Sequence, residues 1–355
     1  MKRAIELAKK GEGYVNPNPM VGAVIVKGGR IIGEGYHERF GALHAERNAF
    51  ASLTEKAEGA DLYVTLEPCC HHGKTPPCTE AIIENRIGRV VIGSRDPNPL
   101  VAGKGAGLLR EAGIEVTEDY LKDECDSLNP VFFKYITTRM PYVVLKYAMT
   151  MDGKIATVSG QSKWITSEAS RNEVQYMRHR YMAIMAGIGT VIADDPMLNT
   201  RVDGLRSPLR VICDSNLRIS PDSNIVKTAS EYKTVVAYCS DEGSNASRLE
   251  AMGVSLEKMP SKDGHIDMKA LLKRLGELGT DSVIVEGGGT LNDSLLRDDL
   301  IDRAEVFVAP RMFGGSTAPT PVGGKGIADI KGAPGFELEK VTCHGADVHL
   351  SYVKK

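Results

Sequence analysis

Two successive alternations of strand-like and helix-like segments constrain the fold of this chain more than any other feature of its sequence. The first series of β-branched runs lies at residues 23–26, 61–65, 89–92 and 113–116. The second series lies at residues 142–146, 209–212, 234–237, 282–285 and 304–308. Helix-compatible stretches separate the runs in both series. Strands that alternate with helices form a mainly parallel sheet covered by helices, so the pattern predicts an α/β fold.

A boundary near residue 140 separates the two series. A helical stretch predicted over residues 122–138 ends at Met140-Pro141, because proline disfavours helix in the residue before it. The 355 residues are enough for two domains that each bury a core of their own. We therefore expect one domain over residues 1–140 and a second over residues 141–355.

Charge and hydropathy exclude several kinds of partner. The chain has 44 Lys and Arg residues against 46 Asp and Glu residues, so no basic excess exists to bind a nucleic-acid backbone or an anionic membrane. The longest uncharged apolar stretch, residues 181–193, is shorter than the roughly 20 residues that cross a bilayer. The amino terminus has scattered charges and lacks the features of a secretory signal. We expect a cytoplasmic protein that binds neither nucleic acid nor membrane.

A histidine and two cysteines indicate a metal site in the first half. His44 opens a predicted helix, Cys69 follows a predicted strand, and Cys78 opens the next helix. One His and two Cys suit a catalytic Zn²⁺, which uses three protein ligands and keeps the fourth position for water. Glu46 lies two residues after His44, so it faces away from a shared chelate and is the candidate proton carrier.

The sequence leaves other ligand sets open. Zinc deaminases carry an H-x-E pair and a P-C-x-x-C pair, but here eight residues separate the two cysteines. Cys70, His71 or His72 could therefore replace one of the proposed ligands. The same residues could also be ordinary loop and core residues without a metal.

A glycine-rich turn is the main chemical signal in the second half. Residues 286–294, Glu-Gly-Gly-Gly-Thr-Leu-Asn-Asp-Ser, follow a predicted strand and lead into a helix. Such a turn lets a phosphate approach backbone N–H groups at a helix terminus. The run is not a G-x-G-x-x-G fingerprint and would by itself fit a simple turn equally well.

Several motifs together resemble the bifunctional riboflavin-biosynthesis deaminase/reductase family. In the first half the matching segments are residues 16–22, 44–46, 68–78 and 95–99. In the second half they are residues 145–146, 152–156, 162–166, 187–191 and 193–196. The resemblance implies a cytidine-deaminase-like α/β/α domain followed by a dihydrofolate-reductase-like α/β domain. It covers nearly the whole chain and is poorest over residues 220–267.

For the first domain, the resemblance implies that His44, Cys69 and Cys78 bind one zinc ion and that Glu46 carries the proton. It further implies that Asn18, His37, Lys74 and Asp96 contact the substrate. Each of these four residues also has a simple structural explanation. Asn18 and Asp96 adjoin prolines and suit turns, His37 could be a surface histidine, and Lys74 could be a solvated loop residue.

For the second domain, the resemblance implies an NADPH site and a substrate site. The implied NADPH-binding residues are Ala148, Trp164, Thr190, Asp194, Ser215, Gly288, Gly289, Thr290, Leu291, Asn292, Asp293 and Ser294. The implied substrate-binding residues are Lys146, Ser162, Arg178, Leu198, Arg201 and Glu286. Chemically, the two arginines can each fork to a sugar phosphate, and Glu286 can hold hydroxyl or amino groups.

The function that follows from the resemblance is two consecutive steps of riboflavin biosynthesis on a phosphoribosylated pyrimidine. Zinc-dependent deamination would precede an NADPH-dependent reduction of the ribosyl group to ribityl. The resemblance also implies a homo-oligomer. Two alternatives remain: a nucleic-acid base deaminase with a carboxy-terminal binding module, which the balanced charge disfavours, and a non-catalytic nucleotide sensor with a structural zinc.

Overall fold

Met1–Arg139 and Met140–Lys355 form separate units in a computed structural model, which describes residues 1–71, 76–98 and 101–355. Lys74, His72 and Pro99 lie outside the described residues. Within the described part of the chain, no helix combines the length and the hydropathy that a membrane span requires.

The first unit is built on a five-stranded sheet. Its strands are β1 (Gly22–Lys27), β2 (Arg30–Tyr36), β3 (Asp61–Leu66), β4 (Arg89–Ser94) and β5 (Glu115–Thr117). The order across the sheet is β2-β1-β3-β4-β5. Strand β1 is antiparallel to both of its neighbours, whereas β3, β4 and β5 are parallel. The carboxyl ends of β3 and β4 therefore meet at one edge of the sheet.

Helices connect and cover these strands. They are α1 (Lys2–Ala8), α2 (Ala45–Ala51), α3 (Cys78–Glu84), α4 (Lys104–Glu111), α5 (Lys122–Asp126) and α6 (Pro130–Thr138), with a 3₁₀ turn at Lys9–Gly11. Helix α2 lies directly on β2, where a Cβ added at Gly33 or Gly35 would come within 2.6 or 2.3 Å of the Ala49 backbone. Glycine thus permits the close packing that fixes the amino end of α2.

The single helix predicted over residues 122–138 was wrong, because the structure contains α5 and α6 with a break between them. Pro130 begins α6, where its missing N–H costs no hydrogen bond. Before it, the buried Asn129 side chain accepts from the Met20 N–H at 2.7 Å and donates to the Met20 carbonyl at 2.9 Å. These two long-range hydrogen bonds fix the turn between α5 and α6.

The second unit contains a nine-stranded sheet. Its strands are β6 (Tyr142–Thr150), β7 (Ala183–Gly187), β8 (Leu209–Cys213), β9 (Thr234–Tyr238), β10 (Ser255–Lys258), β13 (Ser282–Val285), β14 (Arg303–Ala309), β15 (Phe336–His344) and β16 (Asp347–Lys354). A small separate hairpin consists of β11 (Ser261–Lys262) and β12 (His265–Ile266). The order is β10-β9-β8-β7-β13-β6-β14-β16-β15. Only the last two pairings, β14 with β16 and β16 with β15, are antiparallel.

The helices of the second unit lie between these strands along the chain. They are α7 (Glu168–Arg180), α8 (Ile188–Asp194), α9 (Asn224–Lys227), α10 (Ala246–Ala251), α11 (Met268–Glu277) and α12 (Gly289–Arg297), with a 3₁₀ turn at Ile330–Gly332. The apolar side chains of β6, β7, β8 and β13 pack with α11 and α12 in one buried core. Strand β7, which the sequence analysis did not predict, is hydrogen-bonded between β8 and β13.

Candidate active sites

The three predicted metal ligands converge in the first unit. His44 is the residue immediately before α2, Cys69 follows β3, and Cys78 is the first residue of α3. The His44 Nδ1 atom lies 3.5 Å from the Cys69 Sγ and 3.4 Å from the Cys78 Sγ. All three ligand atoms lie within 4.8 Å of one another. The close packing of α2 on β2 brings His44 to the edge where β3 ends.

This arrangement fits a tetrahedral zinc ion. With Zn–S bonds of about 2.3 Å and Zn–N bonds of about 2.1 Å, a tetrahedral site separates its ligand atoms by roughly 3.6 Å. The contact with Cys78 lowers the pKa of the Cys69 thiol to about 4, and His44 acts in the same direction. The contact with Cys69, together with burial, raises the pKa of Cys78. One thiolate therefore forms readily, as metal binding requires.

The alternative ligands are less well placed among the residues that the structure describes. His44, Cys69 and Cys78 are the one group there with metal-binding geometry. Cys70, the residue after Cys69, does not belong to that group. His71 is exposed and lines the cavity that opens over the three ligands, and His72 lies outside the described residues.

Glu46 is almost completely buried beside the three ligands, with 3% of its surface exposed. Burial and the nearby Cys69 raise the pKa of the Glu46 carboxyl, while His44 acts to lower it. A carboxyl group with a raised pKa can both accept and return a proton near neutral pH. The predicted role of Glu46 as a proton carrier is therefore compatible with its surroundings.

A cavity of about 450 Å³ opens over the ligands and Glu46. His37 and Asn18 form part of its wall. The His37 Nδ1 atom donates to the Leu43 carbonyl at 3.0 Å, and its Nε2 atom lies 3.2 Å from the Asn18 amide nitrogen. Burial lowers the pKa of His37, so the neutral ring accepts from the Asn18 amide and fixes its orientation.

Asp96 lies in another part of the same wall. Its Oδ1 atom accepts from the Asn98 N–H at 2.8 Å, and burial raises the pKa of its carboxyl to about 6. Lys74, the fourth predicted substrate contact, lies outside the described residues. The structure thus brings Asn18, His37 and Asp96 together around one cavity with the metal ligands.

The sequence analysis missed several residues of this wall. Glu67 is buried there, Phe132 and Tyr135 contribute from α6, and Arg139 contributes from the position directly after that helix. The position of Glu67 at the end of β3, two residues before Cys69, was a usable signal. The residues of α6 offered none, because only the tertiary fold brings that helix to the cavity.

A second cavity, of about 720 Å³, lies in the second unit at the carboxyl ends of β7, β8 and β13. Open α/β sheets usually bind ligands at this edge. The predicted glycine turn forms part of its wall and leads into α12. Gly288 precedes α12 without a side-chain cap, so the first N–H groups of the helix are available to a phosphate.

The predicted cofactor residues divide into two groups. The residues that line the cavity are Thr190, Asp194, Ser215, Gly288, Gly289, Thr290, Leu291 and Ser294. Ala148, Trp164, Asn292 and Asp293 lie elsewhere. Asn292 donates to the Pro321 carbonyl at 2.7 Å, and Asp293 pairs with Arg297 at 2.9 Å, so both side chains are engaged within the protein. Trp164 is 56% exposed, with the Arg171 guanidinium 4.6 Å from its ring.

The predicted substrate residues centre on Glu286, which lines the cavity. Arg178 donates to its two carboxylate oxygens at 2.8 and 3.1 Å, and Lys146 donates at 3.1 Å. Burial acts to raise the pKa of Glu286, but the two cations hold it at about 2. The sequence analysis suggested that the Arg178 guanidinium binds a phosphate, but in this structure it is hydrogen-bonded to the carboxylate of Glu286.

The remaining substrate candidates lie near this ion cluster or at the cavity. Ser162 lines the cavity, and Leu198 is buried in the loop after α8. Arg178 also donates to the Asn199 carbonyl at 2.9 Å, which ties that loop to α7. The Arg201 side chain is exposed. The sequence analysis missed Asn216 and Arg218, which lie in the cavity wall beside Ser215.

Comparisons with known proteins identify a matching family for each unit. Residues 1–94 match the cytidine and deoxycytidylate deaminase zinc-binding region, and residues 141–350 match the RibD C-terminal domain. The chain is 52% identical over 353 residues to the riboflavin biosynthesis protein RibD of Actinobacillus pleuropneumoniae, covering 99% of this chain and 94% of that protein. It is 42% identical over 356 residues to RibD of Bacillus amyloliquefaciens, covering 100% and 95%.

A solved structure is similar over the same length. The diaminohydroxyphosphoribosylaminopyrimidine deaminase/5-amino-6-(5-phosphoribosylamino)uracil reductase of Thermotoga maritima has a TM-score of 0.89 and 41% identity. The alignment covers 100% of this chain and 97% of that chain.

Proposed function

Because this chain belongs to the RibD family of bifunctional riboflavin-biosynthesis deaminase/reductases, we propose which substrate and which nicotinamide cofactor it uses. The predicted family, the α/β fold class and the combination of a zinc-binding deaminase with a reductase are confirmed. The proposed substrate is 2,5-diamino-6-(5-phosphoribosylamino)pyrimidin-4-one, and the proposed reductant is NADPH. Homo-oligomeric assembly stays a prediction.

In the proposed deamination, water replaces an amino group on the pyrimidine ring and ammonia leaves. Zinc, when bound by His44, Cys69 and Cys78, supplies a Lewis acid that activates the attacking water. Glu46 takes a proton from this water and returns it to the departing nitrogen. Asn18, held by His37, and Asp96 are proposed to orient the ring in the cavity. The cluster of three ligands beside the buried Glu46 is the observation that carries this proposal.

In the proposed reduction of the deaminated product, the bond between the anomeric carbon and the ring oxygen breaks, the carbon accepts a hydride, and the oxygen takes up a proton to become a hydroxyl of the ribityl chain. NADPH, when bound, supplies that hydride. The N–H groups at the start of α12 are proposed to hold a cofactor phosphate. Glu286, kept ionised by Arg178 and Lys146, can accept hydrogen bonds from the sugar hydroxyls. Lys146, Ser162, Arg178, Leu198 and Arg201 remain proposed contributors to the substrate site.

The direct test supplies the proposed pyrimidine to the zinc-loaded chain and measures ammonia release and NADPH oxidation in parallel. We expect both signals, with the second dependent on the first. A separate reaction with the deaminated intermediate should show NADPH oxidation alone. If folded, zinc-loaded protein gives neither signal but releases ammonia from single-stranded DNA or RNA, the base-deaminase alternative replaces this proposal.

Arg218 is the proposed basis of the preference for NADPH over NADH. It supplies the one Lys or Arg side chain among the described residues that line the cavity, beside Ser215 and Asn216. Its side chain is 58% exposed, and its nearest acidic atom, in Asp214, is 3.9 Å away. A weakly paired guanidinium can bind the 2′-phosphate that distinguishes NADPH.

We expect Arg218→Gln to lower the ratio of kcat/KM for NADPH to that for NADH about 10- to 100-fold, since a charged hydrogen bond contributes about 1.5–3 kcal/mol. The exposed Arg248→Gln in the same unit is the control and should leave the ratio unchanged. An unchanged ratio in Arg218→Gln, with NADPH preferred as before, would show that other residues read the phosphate.

A further inference from the structure

We propose that Glu67 is a positioning residue for deamination. Its side chain holds the part of the cavity wall that contains Asp96 against the loop that carries Cys69. This inference rests on the proposed function, because it assigns part of the substrate geometry of the same site. Glu67 is 4% exposed and lines the cavity with His44, Glu46, Cys69 and Asp96. Nothing in the proposed chemistry requires it to exchange a proton.

The carboxylate of Glu67 binds backbone N–H groups from both ends of the segment between β4 and α4. Its Oε2 atom accepts from Gly103 at 3.0 Å and from Asp96 at 3.4 Å. Its Oε1 atom accepts from Ala106, in the first turn of α4, at 3.2 Å. One side chain therefore joins the start of the segment, where Asp96 lies, to the helix that follows it.

These partners are well suited to an ionised carboxylate. Gly103 and Ala106 belong to the amino end of α4, where N–H groups have no partner within the helix and the helix dipole favours negative charge. Because the carboxylate is buried, its removal would leave these N–H groups without an acceptor. The contact is thus both a helix cap and a link between two walls of the cavity.

The packing around Gly105 ties this link to the metal-ligand loop. A Cβ atom added at Gly105 would lie 2.2 Å from the Pro68 carbonyl oxygen and 3.3 Å from the Glu67 Oε1. The first turn of α4 is therefore packed directly on Glu67 and Pro68, the two residues before Cys69. The Glu67 N–H also donates to the Ser94 carbonyl at 2.9 Å, which joins the ends of β3 and β4.

The consequence is a fixed relation between the metal ligands and Asp96. Without the Glu67 carboxylate, Asp96 and the neighbouring lining residues Asn98 and Val101 lose their anchor, whereas His44 and Glu46 remain positioned by α2. Small displacements of groups that orient a substrate have large kinetic effects. We expect the KM for the pyrimidine to rise about tenfold in Glu67→Ala, while kcat falls less than about threefold.

The test compares Glu67→Ala and Glu67→Gln with Asp267→Ala in the full zinc-loaded chain. Asp267 is the matched control because its carboxylate also caps a helix, accepting from Ala270 at 3.0 Å in the other unit. Both alanine variants should have lower melting temperatures, but only Glu67→Ala should have the higher KM. Glu67→Gln keeps one acceptor oxygen and should show a KM between wild type and Glu67→Ala.

Zinc content and NADPH oxidation from the deaminated intermediate complete the measurement, and both should match wild type in Glu67→Ala. A wild-type KM in both Glu67 variants, with a lower melting temperature, would overturn the inference and leave Glu67 a structural cap. Loss of zinc at an unchanged KM would overturn it as well, because Glu67 would then act through Cys69. If wild type itself released no ammonia, the proposed substrate would be wrong instead.

Discussion

Replacing Glu46 with glutamine is expected to lower ammonia release about a thousandfold, because general acid–base catalysis contributes about 10²- to 10⁴-fold and glutamine cannot carry a proton. The side chain is buried beside His44, Cys69 and Cys78 without belonging to that ligand group. Zinc content should therefore stay at one ion per chain. The measurement is single-substrate kinetics of ammonia release with zinc determined on the same samples.

The reductase of the same variant serves as its internal control. Glu46→Gln should oxidise NADPH at the wild-type rate when it receives the deaminated intermediate. Cys78→Ser is the comparison for metal loss, since it removes a buried ligand and should lose both zinc and ammonia release. Ammonia release at the wild-type rate in Glu46→Gln would remove Glu46 from the mechanism, and zinc loss in that variant would show that the lost activity reflects the metal site and not the proton transfer.

Replacing Arg178 with leucine is expected to have the largest effect on the second unit. Among the residues that the structure describes, the substitution leaves the buried Glu286 with Lys146 as its one ion-pair partner. Breaking a buried ion pair from one side costs about 3 kcal/mol or more, which corresponds to a fall in melting temperature of roughly 6–12 °C. Glu286 also loses both guanidinium hydrogen bonds, so we expect NADPH oxidation to fall roughly a hundredfold.

Arg274→Leu is the matched control for this prediction. The Arg274 guanidinium donates to the two carboxylate oxygens of Glu257 at 3.0 and 3.2 Å, but its side chain is 41% exposed, so the fall in melting temperature should be much smaller than in Arg178→Leu. The folded pKa of Glu286 is about 2, below its ordinary value of 4.5. The difference in the free energy of unfolding between wild type and Arg178→Leu should therefore have its full size above pH 4.5. This difference should disappear as the pH falls through about 2. Similar losses in the two variants would contradict a special role for the buried pair.

Local sequence patterns predicted many of the elements because their signals lie within a few residues. Helix α7 lies in the helix-compatible stretch between the predicted strands at residues 142–146 and 209–212, and it begins after Ser167, whose side chain accepts from the Ser170 N–H. Strand β7 was missed because it is buried on both faces and continues into α8 without a polar break. Strand β15 was missed because the exposed residues along it resemble a loop.

In the candidate sites as well, the sequence could predict some features and not others. His44, Cys69 and Cys78 could be proposed from the sequence, because each lies at the end of a strand or the start of a helix and their chemistry is distinctive. Glu67 could not be linked to α4, because the contact with Ala106 spans 39 positions. The assignment of Arg178 to a phosphate could not anticipate its pairing with Glu286, 108 positions away.

The sequence by itself determined the two α/β units, the segments that carry the candidate zinc ligands and the glycine turn, because each depends on residue type, spacing and local periodicity. Only the tertiary structure decided which buried charges face one another. A buried carboxylate such as Glu67 or Glu286 requires hydrogen-bond donors or cations, and these partners lie on elements that are distant in sequence and packed against it in the fold. The partners therefore depend on tertiary packing, and the spacing of residues along the chain does not reveal them.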